Sequence, residues 1–200
     1  ELVIGEGLRP LEMESVQYCC VSLTRQFFGN GKLSRKRWNK ALSSVLVDLQ
    51  ELRLRYLGLG WDTAIGSSGT IRAVEEICRR AGWLERDITA DALFRLRDRL
   101  LQFRTIDAVR LPGLSERRHP VLAGGLVILQ ACFEALEIDT LKVSPYALRE
   151  GVLADMLGRL EQRDPRDKTV EAFTARYSVD QAQVERVKRT AFAAFDCIAD

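Results

Sequence analysis

Apolar and polar residues follow one another along the N-terminal part of the chain in patterns that predict a hairpin and a long helix. Residues 2–4 form a short apolar run, and residues 11–21 alternate apolar with polar positions, so two strands joined by a glycine-containing turn are expected. Apolar side chains then recur at steps of three and four over residues 34–57. Ser34, a residue type favoured at N-caps, is expected to begin that helix.

A strand, a short turn and a helix are predicted twice further along. Residues 61–65 form the first strand, residues 66–70 a glycine- and serine-rich turn, and residues 71–81 a helix. The second set comprises a strand over 141–143, a turn over 144–146 and a helix over 147–160. Strands that alternate with helices in this way predict an α/β lobe.

Helices are predicted between these two sets. Thr89 is expected to cap a helix over 90–102, and a further helix should follow as far as residue 111. Ser115 is expected to cap a helix reaching residue 136, with Pro120 in its first turns or separating two short helices.

The composition changes near residue 162, where the run Arg-Asp-Pro-Arg-Asp-Lys begins. Two helices are predicted after it, over 169–177 and 180–199, the second capped by Ser178 or Asp180. We therefore predict two domains, a mixed α/β domain over 1–163 and the beginning of an all-helical domain over 164–200.

The overall composition excludes several classes of protein. An apolar fraction of 46% is ordinary for a chain that buries a core, and the longest apolar stretch, over 121–136, is too short and too polar to cross a membrane. Nothing at the N-terminus resembles a secretory signal, so a cytoplasmic location is expected. The 30 basic and 28 acidic residues leave a net charge of +2, which offers no strong field for nucleic acid.

The cysteines and the histidine give little indication of chemistry. The five cysteines are odd in number and lack metal-like spacing, so reduced and mostly buried thiols are expected. Cys19 and Cys20 fall on the predicted second strand, where core packing is the favoured role. His119, the only histidine, has no nucleophile or metal partner at a useful spacing, so a role as catalytic base is not expected.

Four segments together resemble one protein family. They are Glu-Leu-Val-Ile-Gly at 1–5, Ala-Ile-Gly-Ser-Ser-Gly-Thr-Ile-Arg-Ala at 64–73, Leu-Pro-Gly-Leu-Ser-Glu-Arg-Arg at 111–118 and Ala-Leu-Arg-Glu-Gly-Val-Leu at 147–153. In this order they look like the exopolyphosphatase and guanosine pentaphosphatase (Ppx/GppA) family, and the resemblance covers the whole chain. It implies an RNase H-like second lobe of the actin-like, sugar-kinase-like ATPase superfold, with a mixed sheet and flanking helices followed by C-terminal helices.

The resemblance also implies that functional parts lie outside the chain. In that family a loop Asp-Ile-Gly-Gly-Gly-Ser-Thr leads directly into the segment that begins at Glu1. The first lobe with its general-base glutamate, and the first strand and first phosphate loop of the second lobe, are thus expected to be missing, and the isolated chain is expected to be inactive. An unpaired sheet edge would remain, so a homodimer that covers it is expected.

The turn at 66–70 is the strongest candidate for phosphate binding. A loop between a strand and a helix can present several N–H groups to an anion, and the helix dipole adds to the attraction. Without the resemblance, a plain turn with an N-capping hydroxyl is an equally good interpretation. With it, phosphate contacts are expected from five residues: Gly66, Ser67, Ser68, Gly69 and Thr70.

Other candidates come from the resemblance alone. It implies that Glu1 helps to hold Mg²⁺ or to orient the attacking water, although in this chain Glu1 is expected to fray. Arg118 is expected to bind phosphate oxygens, with a solvated surface charge as the alternative and Arg117 as a weaker candidate.

Three further charged residues are possible site elements. Arg72 could reach a more distant phosphate, although a helix-surface arginine is the commoner case. Arg149 and Glu150 could contribute to the site, but a buried charge pair that fixes their helix to the sheet is favoured.

The resemblance implies hydrolysis of the terminal phosphoanhydride of inorganic polyphosphate in the full-length enzyme, with release of orthophosphate. The segment at 111–116 favours this exopolyphosphatase branch. The alternatives are guanosine pentaphosphate 5'-phosphohydrolase and, in another class, a non-catalytic module that senses phosphate or nucleotide. A kinase of the same superfold would need an adenosine pocket, for which the sequence shows no feature.

Overall fold

A computed structural model describes residues 1–7, 9–160, 170, 174 and 179–197, without the side chains of 158–160 and 181, and everything below concerns those residues. The chain divides into two compact units, Glu1–Ala147 and Leu148–Asp200. The domain limit predicted at 163/164 lies outside the described residues and stays a prediction.

The first unit opens with the predicted hairpin, but its second strand is shorter than expected. Strand β1 (Leu2–Glu6) pairs antiparallel with β2 (Arg9–Glu14), with an irregular register between Ile4 and Gly5. The prediction of a strand over 11–21 is wrong in its second half, because helix α1 (Cys20–Phe28) begins there. The thiol of Cys19 accepts the N–H of Ser22 as an N-cap, a role that sequence rules assign to hydroxyl and carboxylate side chains.

The next elements agree closely with the prediction. Helix α2 (Arg35–Leu59) begins after Ser34, whose Oγ accepts the N–H of Arg37 at 3.3 Å. Strand β3 (Ala64–Gly66) is shorter than the strand predicted over 61–65 and shifted toward the loop. Helices α3 (Gly69–Arg80) and α4 (Ala90–Gln102) follow, separated by the two-residue strand β4 (Ile88–Thr89).

The region between α4 and the last strand is less helical than predicted. Only a 3-10 turn, Ile106–Ala108, stands where a helix to residue 111 was expected. The helix predicted over 115–136 is likewise interrupted, because a 3-10 turn at His119–Val121, which contains Pro120, precedes α5 (Leu122–Ala135). Proline lacks the N–H that a continuous helix would need at that position.

The sheets confirm the α/β class. Strand β5 (Thr140–Val143) lies between the other two strands of a mixed sheet, parallel to β3 and antiparallel to β4. Strands β1 and β2 form a separate two-stranded sheet.

Helix α5 forms the centre of the core of this unit. Most of its side chains are buried, and it packs against α1, α2 and α4. Its buried Gln130 is satisfied, because Trp38 donates Nε1–H to Oε1 of Gln130 at 2.9 Å and the amide donates to Glu134 at 2.6 Å. The wide apolar surface of α5 thus covers the apolar face of the long helix α2.

The second unit contains two described helices, α6 (Leu148–Leu160) and α7 (Gln181–Asp196). Asp180 caps α7 by accepting the N–H groups of Ala182 and Gln183, as predicted. The helix predicted over 169–177 falls on residues of which only 170 and 174 are described. Within the described ranges, no helix combines the length and the apolar character that a membrane crossing requires.

Candidate functional site

The loop between β3 and α3 has the geometry of an anion site. Ser68 caps α3, since its Oγ accepts the N–H of Ile71 at 3.1 Å and its carbonyl accepts that of Arg72 at 3.1 Å. The two amides before these, on Gly69 and Thr70, have no partner within the helix. They are therefore donors at the positive end of the helix dipole.

Two glycines of the loop lie directly against neighbouring side chains. A Cβ built on Gly66 would lie 2.6 Å from Cδ1 of Ile71 and 2.8 Å from Cδ2 of Leu141, so these two side chains would have to move to make room for it. A Cβ on Gly69 would overlap the guanidinium of Arg118. The second glycine thus lets an arginine from a distant part of the sequence lie directly on the first turn of α3.

The three hydroxyls of the loop have different surroundings. Ser67 donates Oγ–H to the carbonyl of Tyr146 at 2.6 Å, which uses its only hydroxyl proton. Ser68 uses its oxygen as the cap acceptor and keeps its proton available. Thr70 packs against α5, where a Cβ on Gly125 would come within 2.5 Å of its Cγ2. Ser68 is therefore the hydroxyl best suited to donate to an anion.

Arg118 reaches the loop because the preceding segment turns along α3. Gly113 has φ +87°, and a Cβ there would lie 3.0 Å from Cγ of Glu76 and 3.1 Å from Cδ of Arg80. The amide of Arg118 donates to the carbonyl of Ser115 at 3.0 Å. This tight path explains how residues far apart in sequence meet at Gly69.

The side chain of Arg118 forms no ion pair with any residue that the structure describes. Among the described residues, no carboxylate or carbonyl accepts a hydrogen bond from its half-buried side chain. A planar guanidinium beside free helix amides can bind two oxygens of one phosphate. The structure therefore brings together the sequence-predicted loop and Arg118.

These residues line a cavity of about 600 Å³. One wall is formed by residues 1–5, which include β1, and another by residues 63–69, which include β3. Apolar side chains of α5 and Tyr56 of α2 also line it. The polar groups of the loop and Arg118 thus lie in a largely apolar cavity, where their interaction with an anion is less screened than in open water.

Glu1 lies in the wall of the same cavity and is exposed. It is the single carboxylate among the described residues that line the cavity, and the described part of the chain contains no cluster of three candidate metal ligands. Mg²⁺ commonly uses one or two carboxylates together with substrate phosphates and water. Glu1 is compatible with that mode but could not hold the ion alone.

Two of the remaining charged candidates lie in the same unit as the cavity but outside its lining. Arg72 is an exposed residue of α3 and Arg117 is exposed beside Arg118, and neither lines the cavity. Arg149 and Glu150 lie in the first turn of α6 in the second unit. Arg149 is exposed, so the favoured interpretation as a buried charge pair is wrong for its arginine.

His119 has a structural contact that the sequence did not indicate. Its Nε2 lies 3.0 Å from the carbonyl oxygen of Val109, a buried residue. This contact fastens the residue next to Arg118 to the preceding loop. No spacing rule connects these two residues, because the chain between them is irregular.

The cysteines are less buried than predicted. Cys78 is buried, Cys20 and Cys132 are half-buried, and Cys19 and Cys197 are exposed. The Ser22 hydroxyl and then the N–H groups of Ser22 and Val21 lower the pKa of Cys19. Burial raises the pKa of Cys132 to about 11. Because Cys19 is exposed, the role in core packing that was predicted for it is wrong.

A second loop, which the sequence did not indicate as a candidate, lies against the loop Gly66–Thr70. Ser144, after β5, donates its amide to the carbonyl of Gly66 at 2.9 Å. The carbonyl of Tyr146 accepts from both Ser67 and the hydroxyl of Ser144, the latter at 3.1 Å. The repeated order of strand, turn and helix was the available signal, since parallel neighbouring strands end at the same edge.

Comparison with known sequences identifies relatives along the chain. The model of the family described as the Ppx/GppA phosphatase family matches residues 1–160. A guanosine-5'-triphosphate,3'-diphosphate pyrophosphatase of Pseudoalteromonas translucida is 38% identical over 187 residues, which are 94% of this chain and 37% of that protein. A protein of the same name from Aeromonas hydrophila is 36% identical over 196 residues, 98% of this chain and 39% of its own length. The chain thus spans about two-fifths of these relatives.

Solved structures share the fold. The crystal structure of the type II variant of the Aquifex aeolicus Ppx/GppA phosphatase aligns with a TM-score of 0.64 at 23% identity, covering 76% of this chain and 51% of that one. An exopolyphosphatase-like protein aligns with a TM-score of 0.63 at 17% identity, covering 74% and 50%. Both confirm the predicted fold class.

Proposed function

Because the chain belongs to the Ppx/GppA phosphatase family, we propose that the protein carrying it hydrolyses the terminal 5'-phosphoanhydride of guanosine 5'-triphosphate 3'-diphosphate. Water attacks the terminal phosphorus, the anhydride P–O bond breaks, and orthophosphate and guanosine tetraphosphate are released. The loop Gly66–Thr70 and Arg118 bind the phosphates during this reaction.

One observation carries the phosphate-binding part of the proposal. The Arg118 guanidinium, without an anionic partner among the described residues, lies against Gly69 at the N-terminus of α3. Two free helix amides, the Ser68 hydroxyl and a fixed positive charge then meet in one cavity. Positioning and charge neutralisation of this kind are what phosphoryl transfer requires most.

The choice of a guanosine substrate follows the relatives. The two sequence relatives reported above carry the name of the guanosine enzyme, so the preference for the exopolyphosphatase branch, based on residues 111–116, is not supported. Inorganic polyphosphate is the competing substrate, because its chain end presents the same terminal phosphoanhydride to the loop.

A magnesium ion is part of the proposal. Glu1 and the bound phosphates would hold it, and when bound it neutralises charge on the phosphate oxygens. Arg118 of this chain contributes the remaining positive charge. The predicted cytoplasmic location and homodimer stay predictions.

Hydrolysis by the intact protein tests the proposal. We expect a higher kcat/KM for guanosine pentaphosphate than for polyphosphate. R118A should lower it at least about tenfold through the loss of a charged hydrogen bond, whereas R117A, an exposed neighbour outside the cavity, should have little effect. If the protein prefers polyphosphate, the proposed substrate is wrong but the proposed phosphate-binding site stands. Equal effects of R117A and R118A would contradict the site, and binding without hydrolysis would favour a sensing module.

A further inference from the structure

The turn after β5 carries an exposed aromatic side chain beside the phosphate loop. Tyr146 is held there by its own backbone, since its carbonyl accepts the Ser67 hydroxyl at 2.6 Å and its amide donates to the Ser144 hydroxyl at 3.1 Å. These bonds use only backbone atoms of Tyr146. They fix the position of its Cα relative to the loop without involving its side chain.

The ring itself is presented to solvent. Tyr146 is 67% exposed, and it is the only exposed aromatic residue in the unit Glu1–Ala147, where Leu8 alone is undescribed. A ring this exposed buries little apolar area and contributes little to the core. Aromatic rings in such positions are suited to stack on planar ligands.

We propose that Tyr146 determines substrate specificity by stacking on the purine base of a nucleotide whose phosphates occupy the loop Gly66–Thr70. The inference rests on the proposed function and adds the group that distinguishes a nucleotide from inorganic polyphosphate. Both substrates present phosphates to the loop and to Arg118, but only the nucleotide presents a base.

The substitution Y146A separates the ring from the loop, because it removes the side chain and keeps the carbonyl that Ser67 uses. In the intact protein we expect the KM for guanosine pentaphosphate to rise at least about fivefold, as for loss of one base-stacking contact. The KM for inorganic polyphosphate should stay unchanged. Y146F and Y146W keep a ring and should behave like the wild type, and thermal unfolding should not change.

Equal losses for both substrates would overturn the inference, since they would mean that Tyr146 only positions the loop. Unchanged kinetics for the nucleotide would also overturn it. If the wild type does not hydrolyse the nucleotide, the proposed function fails, and calorimetric titration with guanosine 5'-diphosphate and with pyrophosphate decides the inference. Stacking requires that Y146A weaken only the first, and any other result contradicts it.

Discussion

The guanidinium of Arg118 lies against Gly69 so closely that a Cβ on the glycine would overlap it. This relationship connects two segments that are separated by most of α3, all of α4 and an irregular loop. Arg118 can hold this position only because residue 69 has no side chain. The helix N-terminus and the positive charge therefore lie next to one another.

The substitution G69A should displace Arg118 and weaken phosphate binding. We expect a loss of about 1.5–3 kcal/mol in pyrophosphate binding, the range for hydrogen bonds to charged groups, measured by calorimetry. The matched control is G58A in α2, where an added Cβ meets nothing within 4 Å. That change should leave binding unaltered, and an equal loss in both variants would contradict the role of Gly69.

Ser68 caps α3, and we propose that its hydroxyl also donates to phosphate. S68A should lower the free energy of unfolding by about 1 kcal/mol through loss of the cap. S68D should retain the cap, because aspartate is an effective N-cap residue, and yet repel phosphate. Denaturant unfolding and pyrophosphate titration of the two variants check this, and phosphate binding by S68D at wild-type strength would show that the hydroxyl has no ligand role.

The sequence predicts those parts of the fold that depend on neighbouring residues. Ser34, Thr89 and Asp180 all cap helices as expected, because an N-cap is decided by the side chain and the next three amides. The alternating pattern over 11–21 misled the prediction, since Cys19 begins a helix instead. A thiol in the capping position is outside the usual signals.

Contacts across long sequence separations were beyond prediction from the residues themselves. The loop 66–70 was a candidate because of its strand-to-helix context and the family resemblance, but nothing local indicated that Ser67 would bond to Tyr146. Arg118 became a candidate through the family resemblance alone. Its position against Gly69 depends on a turn at Gly113. Such contacts follow from how elements pack, which one sequence does not reveal.

The cysteines should differ in reactivity. Cys19 has a lowered pKa and is exposed, so iodoacetamide at neutral pH should modify it well before Cys78 or Cys132, as read by mass spectrometry. Burial raises the pKa of Cys78 to about 12 and of Cys132 to about 11 from the usual 9.0. Their neutral thiols favour the folded state fully below pH 9, and that contribution is lost as the pH rises through 11 to 12. Faster modification of Cys132 than of Cys19 would contradict this description.

The predicted homodimer has a specific test at the cavity. Among described strands, β1 pairs only with β2 and β3 only with β5, and residues of β1 and β3 line the same cavity. If a second copy covers this surface, I65K should shift the chain toward monomer in analytical ultracentrifugation, since Ile65 is 65% exposed there and a lysine blocks edge pairing. V47K, at a similarly exposed valine of α2, is the control. A wild-type monomer would show the prediction to be wrong.

The most direct measurement of the central claim is a pyrophosphate titration of the chain followed by amide NMR. We predict saturable shifts at the amides of Gly69 and Thr70, the two helix donors without a partner inside α3. The shifts should be strongly weakened in R118A and retained in R117A, with the midpoint moving to higher concentration as salt is added. Saturable shifts located elsewhere, or shifts at Gly69 that R118A leaves unchanged, would contradict the claim that this loop and Arg118 form one phosphate site.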